Sequence, residues 1–243
     1  MFYYNRLAPH WHAAVGASGG RLKSLVLNDM ALDPIQGLEG RAILELGAGN
    51  GYLMAMLAAR YPGQTAERLV VSDQCRPMMD LARKHFPIPG AEYTIIDAGN
   101  AIPYEDDSFD YVVADLLFHE LHTGALRRAL SEARRILRPG GRLLGSVYHP
   151  LYLDALKRHG ELRRGAGGLT LAPTIGGLYT PIVHRREQAY RTAFSRWGRL
   201  NTTFHKVRVP PDFFANGVFS ARGARPPVAL AFQASPESSA DSA

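Results

Sequence analysis

Through the middle of the chain, short apolar runs alternate with stretches in which apolar residues recur at helical spacing. This rhythm predicts βαβ units and a parallel sheet. Ala42 to Leu46 reads as a first buried strand, Leu53 to Arg60 as a helix entered through a glycine turn, Leu69 to Asp73 as a second strand, and Gln74 to Phe86 as a second helix. Tyr93 to Ile96, Asp110 to Ala114 and Arg142 to Val147 supply three further strands. Between the last two lies an amphipathic helix, Gly124 to Leu137, stopped by Arg138-Pro139-Gly140-Gly141. Two helices, Tyr4 to Val15 and Leu22 to Leu27, lead into this unit.

After the fifth strand the rhythm loosens. His149 to Arg158 has helical spacing, but HGELRRGAGGLTLAPTIGG shows neither period and predicts a mobile, glycine-rich loop. His184 to Trp197 is helical again, Asn201 to Val209 and Pro227 to Phe232 are strand-like with a long loop between, and QASPESSADSA has the composition of disorder. The expected architecture is α/β, a doubly wound, seven-stranded, mostly parallel Rossmann-like sheet with helices on both faces. Its parts are an N-terminal helical lid (1–40), a cofactor-binding core (41–150), a substrate cap or flexible loop inserted after strand five (151–183), a C-terminal helix with the last two strands (184–232) and a tail (233–243).

Composition narrows the function. The chain has 243 residues, 46% of them hydrophobic, enough for one large domain. No apolar run has the length to cross a bilayer, and MFYYNRLAPHWH lacks the basic-then-apolar order of a signal peptide, so a cytoplasmic location is expected. The single cysteine, Cys75, excludes an internal disulfide and a zinc site built on thiolates, and no metal is expected. The formal net charge is +6, unevenly spread: residues 124–208 carry 17 Lys+Arg against 4 Asp+Glu. Such a region admits an acidic substrate or a nucleic acid. Its arginines are scattered without interleaved aromatics, however, so a small molecule is the expected partner and nucleic acid the lesser reading.

The densest chemistry lies in Glu45-Leu46-Gly47-Ala48-Gly49-Asn50-Gly51, at a strand end and opening a helix, where open α/β sheets bind ligands. Its Gly-x-Gly-x-Gly spacing lacks the third glycine position of the dinucleotide fingerprint, and Glu45 would repel a pyrophosphate while suiting a ligand that carries an ammonium and a sulfonium. Here the sequence resembles the class I methyltransferases, in particular the small-molecule branch that includes the quinone-biosynthesis C-methyltransferases. The resemblance implies S-adenosylmethionine as cofactor, its aminocarboxypropyl end held by Glu45, Gly47, Ala48, Gly49 and Gly51. It implies that Asp73 accepts hydrogen bonds from the ribose hydroxyls, with Gln74 along the adenosine, and that Asp97 and Ala98 meet the adenine. Asp97 opens DAGNAIPYEDDSFD, similar to the family's D-A-x-x-L-P-F-x-D-x-S-F-D run. In VVADLLFHEL, Asp115 replaces the family's usual Asn and Glu120 its second His. FYYNRLAPHWH is similar to a motif that folds over the cofactor, which makes Tyr4 a lid residue, with Asn5 in place of Asp and Trp11 in place of the second Tyr.

Methyl transfer from a sulfonium is an in-line displacement, so the site must align donor and acceptor and exclude water. Where the acceptor loses a proton, a histidine is the obvious helper. His119 and His149 stand just beyond the ends of the fourth and fifth strands and are the candidate bases; packing at a helix entry and a turn before Pro150 are their structural alternatives. Arg163, Arg164, Arg185 and Arg186 could clamp a carboxylate or simply face water. The expected function is methylation of a small organic acceptor in metabolite or natural-product biosynthesis, at O or C before N. The alternatives are an RNA or protein methyltransferase, or a cyclase or isomerase that binds the cofactor without transferring methyl.

Overall fold

The computed structural model describes residues 2–165, 169–173, 178–210 and 226–237. Five parallel strands build most of one sheet: β1 (Ala42–Leu46), β2 (Arg68–Asp73), β3 (Glu92–Ile95), β4 (Phe109–Asp115) and β5 (Leu137–Tyr148). Between them run α4 (Tyr52–Arg60), α5 (Arg76–His85) and α6 (Thr123–Ile136). Two late strands, β9 (Leu200–Val207) and β10 (Ala229–Pro236), complete the sheet in the order β3-β2-β1-β4-β5-β10-β9, with β10 antiparallel to both neighbours. This is the expected seven-stranded, mostly parallel sheet. The chain order reverses beside β1, so the ends of β1 and β4 open a crevice between them.

Period-two alternation sends the strands' side chains to two cores. Leu44, Val112, Leu143 and Val147 pack with Leu126, Ala129, Leu130 and Ala133, the i, i+3, i+4, i+7 stripe of α6. Ile43, Val71, Val113 and Leu144 pack on the other face against Leu53, Met54 and Leu57 of α4 and Ala82 of α5. Before the sheet, α1 (Phe2–Val15) lies against α5. The turn after it leads through α2 (Gly20–Leu22), a π-helical turn (Lys23–Leu27) and α3 (Asn28–Leu32).

The largest departure from the sequence reading is the segment after α7 (Pro150–Arg158). Instead of a loop without period, the described residues form an antiparallel sheet, β6 (Arg163–Arg164), β7 (Thr170–Pro173) and β8 (Tyr179–Ile182). Strands this short carry almost no periodic signal; burial of Ala172 and Ile182 against Tyr148, Leu153 and Leu156 holds them. The expected loop at 160–177 falls partly outside the described residues, at 166–168 and 174–177, as does the 211–225 connection before β10. Two boundaries also move. Gln233 to Pro236, read as tail, extend β10, while 238–243 are outside the described residues. The late helix begins at Glu187 as α8 (Glu187–Ala193) and ends in a π-helical turn, Phe194–Gly198.

Candidate active site

The glycine turn leaves β1 and enters α4 at Gly51, whose φ of 79° is left-handed; a Cβ there would stand 2.7 Å from that of Ala82. Only glycine meets both demands. At Gly49, φ is 58° and the Trp11 indole nitrogen would lie 3.2 Å from an added Cβ, so α1 lies directly over the turn. Next to it, the Asp73 carboxylate at the end of β2 accepts the Gly49 N–H (3.0 Å) and the Cys75 N–H (2.8 Å). Backbone donors on both oxygens fix the carboxylate where it lines the cavity. Burial pushes Asp73 up to about 6 against these backbone donors. Cys75 is the buried N-cap position of α5, and its thiol donates to Asn5 Oδ1.

Glu45 is buried behind the turn, and its Oε2 has no hydrogen-bond partner among the described residues. Burial pushes its carboxyl up to about 8, opposed by the Lys23 ammonium. Lys23, from the π-helical turn, pairs with Asp115 at 3.1 Å, while Ser146 donates its hydroxyl to the other Asp115 oxygen. Burial alone would lower Lys23, but Tyr52, Asp115 and Glu45 outweigh it and keep the ammonium charged. Orphaned polar atoms in a dry site are costly, and here they mark where a cationic group would be welcome.

Beyond Asp115 the chain turns through Leu116, whose φ of 54° is strained for leucine. The loop that follows carries His119 and Glu120. It is clamped from the cap side: Val183 N–H donates to the His119 carbonyl (2.7 Å), and buried Arg185 donates to the carbonyls of Phe118 and Leu121. His119 is buried against the Tyr148 ring at 4.6 Å with Nδ1 unpartnered, and burial, Lys23 and Arg185 press it down to about 3. It is a neutral imidazole. Glu120 accepts the Tyr4 hydroxyl from α1, and burial raises its carboxyl to about 8.

These groups share one cavity of about 340 Å³, within the range of small-ligand sites. One end is lined by Gly47, Ala48, Gly49, Asp73, Gln74, Asp97 and Ala98; the other by Leu22, Leu116, Tyr148, Tyr152, Pro173 and Thr180. Tyr4, His119 and Glu120 also line it.

Comparison with known proteins follows this division. A methyltransferase domain family matches residues 43–141, the span from β1 into β5. That span carries a methyltransferase domain. Malonyl-[acyl-carrier protein] O-methyltransferase of Methylococcus capsulatus is 33% identical over 147 residues, 60% of this chain and 52% of that protein. Demethylmenaquinone methyltransferase of Thermus thermophilus is 34% identical over 111 residues, 45% of this chain and 48% of that one. The chain thus spans about half the length of the curated relatives it matches. An S-adenosylmethionine-dependent methyltransferase structure from Mesorhizobium loti superposes with a TM-score of 0.62 at 20% identity, covering 88% of this chain and 98% of that one, a likeness of fold.

The cofactor of class I methyltransferases is S-adenosylmethionine, and the residues present fit it. The glycine turn offers the close backbone approach, and the Asp73 carboxylate lines the cavity beside it, with Glu45 adding a buried carboxyl behind the wall. Of the residues read from the sequence, Tyr4, Gly47, Ala48, Gly49, Asp73, Gln74, Asp97, Ala98, Asp115 and His119 meet around the cavity. Asp97 is partly spent, accepting Gly99 N–H (2.9 Å) and the Asn100 amide (2.8 Å). Glu45 and Gly51 stand behind the wall. His149 requires correction as a candidate base: its Nδ1 accepts the Leu151 N–H (3.1 Å) as N-cap of α7, its Nε2 lies 3.5 Å from Glu187, and it does not line the cavity. Two of the four flagged arginines are engaged elsewhere: Arg185 holds backbone, and Arg163 stacks 3.7 Å over the Tyr179 ring. Sequence reasoning missed Lys23, which no motif marks, and passed over Glu120, whose signal was a carboxylate where the family pattern carries a second His.

Proposed function

We propose that the chain transfers the methyl group of S-adenosylmethionine to a small, uncharged organic acceptor bearing an ionisable O–H or C–H. The observation that carries this reading is the continuity of the cavity. Carboxylates and a glycine turn suited to a cationic donor run into an aromatic and apolar end formed by Tyr148, Tyr152, Leu116 and Pro173. An in-line displacement needs this arrangement, because donor and acceptor must meet with water excluded. An anionic acceptor has less support, since Asp73, Asp97, Asp115 and Glu120 outnumber Arg21 and Lys23 along the lining. Neutral His119 serves in this reading as a hydrogen-bonding group that orients the acceptor. The oxygen-methylating and quinone-pathway relatives support O or C attack.

The test is incubation with methyl-labelled cofactor and a panel of phenols, enols and activated methylene compounds. Label in an extracted product is the expected result. A changed acceptor without label would replace transfer by a reaction that uses the cofactor only as a bound charge. RNA as acceptor has less support: Arg135, Arg138, Arg185 and Arg191 of the basic region are engaged within the fold.

A further inference from the structure

We propose that Glu120, held by Tyr4, takes the proton that leaves the acceptor, and that its ionisation is coupled to the charge on the cofactor sulfur. This rests on the methyl-transfer reading above. Glu120 lines the cavity together with Tyr4 and His119. The groups that face it are Tyr3 and Tyr4 from α1, Asp73 from the end of β2 and Lys23 from the π-helical turn, with His119 beside it in the loop. Tyr4, its hydrogen-bond donor, reaches towards both ends: its ring meets Trp11 above the glycine turn at 6.0 Å, and its hydroxyl feels Asp73 and Tyr148. Through Tyr4 the carboxylate is tied to a hydroxyl within electrostatic reach of Asp73 at the cofactor end and Tyr148 at the other.

The chemistry balances there. The methyl carbon's bond to sulfur breaks with its electron pair left on sulfur, a bond from that carbon to the acceptor O or C forms, and the acceptor's proton passes to Glu120. One positive and one negative charge disappear together, so a poorly solvated cavity is never left with an uncompensated charge. His119 is too weak a base for this, being held near 3, whereas Glu120 titrates near 8, close to working pH. A sulfonium nearby favours the ionised carboxylate; the neutral sulfur of S-adenosylhomocysteine does not.

Calorimetric titration of S-adenosylmethionine and S-adenosylhomocysteine in two buffers of different ionisation enthalpy reads this coupling without an acceptor. The sulfonium charge acts on Glu45 and Asp73 as well, so the Glu120→Gln variant is needed to assign the difference to Glu120. Near pH 8 the sulfonium ligand is expected to release about half a proton more per site than the thioether. In Glu120→Gln both ligands bind and the difference disappears. In Tyr4→Phe the carboxylate loses a stabilising donor, and the difference moves to higher pH. Equal proton release by the two ligands in the unaltered protein, or a difference that survives Glu120→Gln, overturns the proposal. Should Glu120→Gln fail to fold, Tyr4→Phe decides: a difference that stays at the same pH overturns the proposal. Failure of both ligands to bind the unaltered protein strikes the methyl-transfer reading instead.

Discussion

The two ends of the cavity are built in opposite ways. At the cofactor end, backbone does much of the work: a left-handed glycine turn and the ends of β1 and β2 fix Asp73 through the N–H groups of Gly49 and Cys75. At the other end the walls are side chains from distant segments, Leu22 from α2, Tyr148 from β5, Tyr152 from α7 and Thr180 from β8. Backbone geometry tolerates little substitution, while side-chain walls can be exchanged one at a time. A constant donor and a variable acceptor fit that division.

Replacing Asp73 breaks the cofactor end hardest. Asp73→Ala removes two charge-assisted hydrogen bonds to the ribose, about 3 kcal/mol or roughly a hundredfold in affinity for S-adenosylhomocysteine by calorimetry. It also frees the Gly49 and Cys75 N–H groups, so Asp73→Asn, which retains one acceptor oxygen, is expected to fall between the variant and the parent. Affinity unchanged in both would remove the ribose assignment.

A smaller effect appears in the pH dependence of the ligand-free protein. Glu45 and Glu120 are raised to about 8 in the folded state, so the fold binds protons that the unfolded chain has already released. Their stabilising contribution is present below the ordinary carboxylate range and is lost as pH rises through about 8. His119, held near 3, works in the opposite direction, costing stability only as pH falls below about 6.5. Between pH 6.5 and 8 the carboxylates act alone, and denaturant unfolding is expected to show stability falling by about 3 kcal/mol. Glu120→Gln should flatten part of that slope. A flat profile in the parent would show that neither carboxyl is raised.

The contrast between the two ends also explains what was legible in the sequence. The glycine turn, Asp73 and Asp97 are local: each is a strand end followed at once by a turn, and a short motif carries the whole geometry. The doubly wound, mostly parallel sheet was legible because short strands joined by short crossovers admit few windings. The small β6–β8 sheet did not show, since strands of two and four residues have no period to read and its burial comes from Tyr148, Leu153 and Leu156 on other elements. Lys23 was invisible for the same reason. Its partners, Asp115 and Glu45, are more than twenty residues away, and a lysine in a short helical segment looks like any solvated one.

At the acceptor end, Tyr152→Ala sharpens the comparison. The side chain lines the cavity beside Tyr148, at 5.7 Å between rings, but belongs to no part of the cofactor turn. Its loss is expected to raise the acceptor KM about tenfold, roughly 1.4 kcal/mol of aromatic contact. Affinity for S-adenosylhomocysteine should remain within about a factor of two. A matching loss of cofactor affinity would mean that the two ends are not separable.

The smallest effect is expected at His149, and it discriminates between a cap and a base. With Nδ1 accepting the Leu151 N–H, the imidazole closes the first turn of α7, and burial lowers its affinity for a proton. His149→Ala should therefore cost about 1 kcal/mol of stability through the lost cap and leave methyl transfer within about twofold. His149→Asn is the informative partner. Asparagine is a good N-cap whose amide is no base, so it should recover most of the stability and leave transfer untouched. If transfer instead collapsed in both variants while stability held in the asparagine one, the ring would have to reach the acceptor through a movement of α7. The wall that α7 contributes through Tyr152, beside Tyr148, would then move during the catalytic cycle rather than stand fixed.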